Sequence, residues 1–204
     1  MKFLKISFLL ITLISCNSLK TTKNLPIKEV FKVIDNSYFS DNEIDYTYKA
    51  KILAGKNNFG GILIVKKIDN EHHRIVFTTE FGNKIFDFEF VKNKFIVNFI
   101  LDKLDRKIIL NALKKDYQLL IKEQHNADVE YIVENGNMYK STLNKKDNYF
   151  FFDKENNLLK IVMASKRKEK MTIHFNNIEN NIAKKIEMNH HNFNIITQLN
   201  YINN

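Results

Sequence analysis

His73-Arg74-Ile75-Val76-Phe77-Thr78-Thr79-Glu80-Phe81-Gly82-Asn83-Lys84-Ile85-Phe86-Asp87-Phe88-Glu89-Phe90 reads as two strands joined by a tight turn. In its second half Phe86, Phe88 and Phe90 fall on one face, and Asp87 and Glu89 fall on the other. That period of two belongs to a strand with one buried face. Phe81-Gly82-Asn83 interrupts the alternation, and Gly82 supplies the positive φ that a tight turn needs. A turn this short joins antiparallel neighbours.

The same pattern extends in both directions. Upstream, Tyr46, Tyr48, Ala50 and Ile52 alternate with Thr47, Lys49 and Lys51, and residues 61–68 continue as a strand up to Asp69-Asn70-Glu71. Downstream, Asn93 separates residues 84–92 from a strand over 94–99. This is a meander. The period then changes: Leu101, Leu104, Ile108, Ala112, Leu113, Tyr117, Leu120 and Ile121 recur at three and four, with charged and polar residues between them. The spacing predicts an amphipathic helix over 102–122 with Asp102 as its N-cap. A second run of strands follows near 129–134, 137–143, 148–153, 157–165, 170–175, 182–189 and 193–201, with Asn135-Gly136 as a strong hairpin signal. Ile27, Val30, Phe31, Val33 and Ile34 have helical spacing and predict a short first helix over 27–36. The expected fold is α+β, mainly β. It is a curved antiparallel sheet, or incomplete barrel, of about ten strands, since a sheet of that size curls. The long amphipathic helix lies over its mouth as a lid, because its apolar stripe must be buried.

From about residue 46 to 122 the chain resembles the LolA/LolB type of lipoprotein localisation factor, closer to the outer-membrane receptor LolB. The resemblance is sharpest over residues 73–88: an arginine-led apolar strand, a tip ending in an apolar residue plus glycine, then an alternating strand. It departs where Glu80 stands in place of the receptor's usual proline, and in the lack of any tryptophan. The resemblance implies an incomplete barrel closed by helices over an apolar cavity that holds acyl chains. It also implies that the tip residue, here Phe81, projects and assists delivery into a membrane. Read from the residues alone, Phe81 either inserts into a bilayer interface or folds back onto the sheet as ordinary core. The 17 phenylalanines likewise suit two interiors. One is a cavity lined by Phe77, Phe86, Phe88, Phe90, Phe95 and Phe99, with Leu104, Ile108, Leu113 and Tyr117 contributed by the helix. The other is a tightly packed core, which needs the same inward periodicity.

At the N-terminus, Met1-Lys2-Phe3-Leu4-Lys5 precedes an apolar run over residues 6–14, then Ser15-Cys16. A short basic region, an apolar stretch and a small residue before the cut make a secretory signal over residues 1–15. The stretch is too short to span a bilayer, which takes roughly 20 apolar residues. Leu13-Ile14-Ser15-Cys16 looks like a lipobox, which implies lipidation of Cys16 with palmitate-type acyl chains and a permanent membrane anchor. Cys16 is the sole cysteine, so an exported protein's usual disulfide pairing is excluded. Residues 16–26 then form the lipidated cysteine and a polar tether, and 27–204 a single domain. No acidic residue closely follows Cys16, and by resemblance to lipoproteins that carry surface-export tags this favours a periplasm-facing protein at the outer membrane. Loss of Lys2 and Lys5 with the leader lowers the net charge from +9 to +7, and a basic surface of that kind attracts an anionic membrane, although a lysine-rich solvated surface gives the same balance. Scattered lysines in an exported chain are a poor fit to nucleic acid.

Adjacent strand residues face opposite sides, so neither His72-His73 nor His190-His191 is placed to grip one metal ion, and no metal or cofactor is expected. No nucleophile motif or glycine-rich phosphate loop is present, so no enzyme is expected. Asp87 and Glu89 share a face as paired carboxylates do, which is also where a strand keeps its wet side. Lys166-Arg167-Lys168-Glu169-Lys170 reads as a solvated basic hairpin. Two functions follow. The first is a membrane-anchored lipoprotein that takes an acylated protein or lipid from a soluble periplasmic carrier protein and releases it at the outer membrane. The second is a structural or protein-interaction lipoprotein with a filled core.

Overall fold

A computed structural model describes residues 22, 25–143, 146–166 and 168–202. The leader, Cys16, most of the tether and Arg167 lie outside the described residues. The strands are β1 (Ile27–Asp35), β2 (Asp45–Ala54), β3 (Asn57–Asp69), β4 (His72–Thr78), β5 (Lys84–Val91), β6 (Lys94–Ile100), β7 (Gln124–Ile132), β8 (Asn137–Leu143), β9 (Lys146–Phe152), β10 (Leu158–Ser165), β11 (Lys168–Glu179), β12 (Ile182–His190) and β13 (Ile195–Tyr201). One helix, α1 (Lys107–Ile121), separates β6 from β7.

All thirteen strands join one open antiparallel sheet in the order β1-β7-β8-β9-β10-β11-β12-β13-β2-β3-β4-β5-β6. The two meanders are therefore β2–β6 and β7–β13. They are joined through β13 on β2, in register from Ile195 opposite Ala54 to Tyr201 opposite Tyr48. The inward residues of the sheet, α1 and the segment after β1 bury one continuous core. A smaller cluster lies on the opposite face of β8–β10, where Met138, Tyr149, Val162 and Ala164 are buried against Leu25, Tyr131, Val133 and Phe151.

The hairpin over 73–90 pairs as its alternation predicts, with Phe77 opposite Phe86 and Ile75 opposite Phe88. Gly82 (φ +82°) and Gly136 (φ +112°) occupy the turns expected of them. Four expectations are corrected. Residues 27–36 form no helix. β1 pairs with β7 along its length, with a shift in register between Glu29 and Lys32; Val30 packs against the core while its neighbour Phe31 stands exposed, so the apolar residues at helical intervals do not share one buried face. The strands number thirteen rather than about ten. The helix spans 15 residues instead of running from 102 to 122, and a long lid is not what the chain builds. Residues 101–106 are taken up by a turn in which Leu104 N–H donates to Leu101 O at 2.8 Å, with Leu104 fully buried. Asp102 is accordingly no N-cap. That position belongs to Arg106, whose backbone is extended and whose side chain caps nothing. Ahead of β1, Leu25 packs on the outer cluster and Pro26 O accepts from Ile132 N–H at 3.0 Å.

Candidate apolar binding face

The inward face of β4 and β5 is a sheet of rings. Phe86 and Phe88 stack at 4.4 Å, Phe77 lies 5.4 Å from Phe86, and Phe95 meets Phe88 and Phe90 at 5.1 Å each. Ring pairs at these separations attract beyond their area burial. Helix α1 lies against them, with Tyr117 5.6 Å from Phe86 and Leu113 and Leu120 fully buried. Of the residues expected to line a cavity, Phe77, Phe86, Phe88, Leu104, Leu113 and Tyr117 are fully buried, Phe90 nearly so, and Phe95 partly buried. The structure thus brings them together, packed on one another and on the helix.

Two of the expected lining residues are elsewhere. Phe99 is 39% exposed, because the register shifts between Asp87 and Phe88 and sets Phe99 opposite Asp87, away from the core. Ile108 is 69% exposed, because it faces outward from the helix, whose buried stripe starts one residue later at Ile109 and continues through Ala112, Leu113 and Asp116. Phe81 is 93% exposed at the β4–β5 tip, so the folded-back reading of it is excluded.

The apolar face is covered by pieces of the chain itself. Beside α1, the segment after β1 turns inward and buries Tyr38 and Phe39. Tyr38 lies 4.7 Å from Phe175 and its hydroxyl donates to Leu158 O at 2.6 Å. Phe39 packs on Tyr46 at 5.1 Å, and its carbonyl accepts from His73 Nε2 at 3.0 Å. Burial holds His73 below the ordinary histidine range. Asn36 couples the two covers: its side-chain amide donates to Leu120 O at 2.8 Å, and its backbone N–H donates to Glu123 O at 2.7 Å.

Helix α1 is pinned to the sheet by a polar contact in the interior. Asp116 and the His190 side chain are almost fully buried, and His190 Nε2 lies 2.8 Å from both carboxylate oxygens. Burial pushes the Asp116 carboxyl up, and the hydrogen bond from His190 pulls it back. Phe193 stacks on the His190 ring at 4.6 Å. The sequence carried a signal for this pair: Asp116 sits three and four residues from Leu113, Ala112 and Leu120, inside the apolar stripe. A carboxylate placed there needs a buried partner.

The other histidines and carboxylates are engaged separately. His72 meets Glu89 at 3.1 Å on the outer face, and His191 Nε2 lies 2.8 Å from the Thr172 hydroxyl. Asp87 and Glu89 share that outer face, but Asp87 is buried there. It accepts both fork nitrogens of Arg74, at 3.0 and 2.8 Å, and the Lys84 ammonium at 2.8 Å. The Arg74 guanidinium holds its carboxyl well below the usual carboxylate range.

Two clefts open at the margins. One of about 400 Å³ lies beside the C-terminal end of α1, among Lys67, His73, Phe90, Ile121 and Glu123. The other, about 840 Å³, lies among Leu25, Ile132, Phe151, Leu159 and Phe175.

No family model matches the chain. No curated protein matches it either. Among solved structures, the crystal structure of a LolA superfamily protein from Nitrosomonas europaea is similar, with a TM-score of 0.50 and 11% identity over 83% of this chain and 88% of that one. At that identity the likeness is one of fold: an open, curved, mainly antiparallel sheet.

Proposed function

We propose that the protein is a membrane-anchored lipoprotein that carries acyl chains on the concave face of its sheet and helps receive or insert lipoproteins or lipids at the outer membrane. One observation carries this reading: the aromatic face is covered by a 15-residue helix and the Asn36–Phe39 turn rather than by a second sheet. Such covers are exchangeable, because an acyl chain taking their place buries apolar surface at ~0.8 kcal/mol per CH₂. The LolA-like fold supports it as well. The donor is an acylated protein or lipid delivered by a soluble periplasmic carrier protein, the acceptor is the membrane, and no bond is broken. Cys16 supplies the lipid anchor, and Phe81 engages the membrane or the cargo.

The tight ring packing favours a second reading, a filled-core lipoprotein that binds a protein partner. Titration of the purified chain with a fluorescent fatty acid separates the two. Saturable uptake, weakened by Phe86→Glu, is the expected result, and no uptake at any concentration would leave the filled-core reading.

A further inference from the structure

Every turn of the two meanders lies at one end of the strands or the other. At one pole stand the β2–β3, β4–β5, β10–β11 and β12–β13 turns and the exit of β6 into α1. Neighbours among them are bonded: the β2–β3 and β12–β13 turns through Gly55 N–H donating to Asn194 O at 2.8 Å and Asn194 Nδ2 donating to Gly55 O at 2.9 Å, and the exit of β6 to β5 through Leu101 N–H donating to Ile85 O at 2.9 Å. The exposed apolar side chains Phe81, Ile108 and Phe193 all stand here. The turns that carry Phe193 and Phe81 are four strand spacings apart in the sheet, about 19 Å at the usual spacing.

Charge divides the same way. With the residues that flank its turns, this pole carries, among the described residues, Lys56, Lys84, Lys103, Arg106, Lys107, Lys166 and Lys168 against Glu80, Asp102 and Asp105. The opposite pole carries Asp69, Glu71, Glu134, Asp153, Glu155 and Glu179 against Lys92, Lys94 and Lys154. Helix α1 opposes its own dipole to keep this arrangement, because a helix N-terminus favours acidic side chains and here its first turn holds none, with Arg106 and Lys107 in their place.

We infer that the pole bearing Phe81, Phe193 and Ile108 is a docking face for an anionic lipid bilayer. The three apolar side chains enter the interface and the surrounding cations meet phosphate headgroups. Cations near such a surface are drawn to its negative potential, and exposed aromatics suit the boundary between headgroup and acyl chain. This deepens the transfer reading and rests on it for its purpose: the molecule would stand on the membrane by one pole.

The chain has no tryptophan, so Phe81→Trp, Phe193→Trp and, at the opposite pole, Ile68→Trp each place a single reporter in the full-length protein. Each is mixed with vesicles of brominated phosphatidylcholine, with or without about 30 mol % phosphatidylglycerol. The expected result is quenching of the Phe81 and Phe193 reporters, stronger by at least about two-fold with phosphatidylglycerol, and little quenching of the Ile68 reporter. Equal quenching at both poles, or no dependence on phosphatidylglycerol, overturns the inference. Fatty-acid uptake in solution is scored separately. A protein that takes up fatty acid without polar quenching keeps its cargo function and loses the docking face, and the reverse result does the opposite.

Discussion

His125 and Asp87 show how far single residues diverge from their appearance in the sequence. Asp87 looked like the wet side of a strand. It does lie on the outer face, yet Arg74, Lys84 and Asn98 cover it so fully that it is buried. Alternation tells the face and says nothing about what long cations on neighbouring strands will cover. His125 drew no notice, and it is buried 4.4 Å from the Phe150 ring with Nε2 unpaired. Burial pushes its pKa down to about 4. An unfolded histidine titrates near 6.5, so as pH falls the unfolded chain takes up the proton first. The associated stability is complete above about 6.5 and is lost as pH falls towards 4. His125→Phe should remove on the order of 2 kcal/mol of the stability lost between neutral pH and about 4.5. Urea unfolding at the two pH values measures it. His73 shifts in the same direction, so some slope will remain.

At the level of elements, the hairpin over 73–90 was legible because alternation, a glycine turn and short connections all agreed. β1 was not, because its apolar residues recur at helical intervals without sharing one buried face in the strand. The helix was legible in its middle and misread at its start, where Leu101 and Leu104 make an isolated turn. Its attachment was written in Asp116 and went unread. Asp116→Ala leaves His190 buried without its partner, and the loss should be about 3–5 kcal/mol. Replacing both residues by leucine should recover most of that loss, since a well-packed apolar pair substitutes for a buried hydrogen-bonded polar pair at little net cost. Thermal melts of the single and double variants test this. A double variant no more stable than Asp116→Ala means the pair does more than hold the helix in place.

Taken whole, the described residues form one open sheet with β1 and β6 as its edge strands, and both expose apolar side chains. Ile27, Phe31 and Val33 are exposed on β1, and Ile96, Val97 and Phe99 on β6. Long exposed edges invite pairing between chains. Phe31→Lys should leave stability within about 0.5 kcal/mol and raise the concentration at which the protein begins to scatter light. The curved sheet and its two meanders could be read from periodicity. The order of strands could not, because sequence spacing is silent on which distant strands meet. The largest such surprise is β13, the thirteenth of the described strands, which sits in the middle of the sheet between β12 and β2. Its pairs with β2 span roughly 150 residues, a separation that makes folding slow. Until residues 195–201 are in place, the two meanders are separate ribbons, each with an extra raw edge. A chain emerging N-terminus first would therefore stay open and adhesive until these residues had emerged and paired, and assembly would close late from the centre of the sheet.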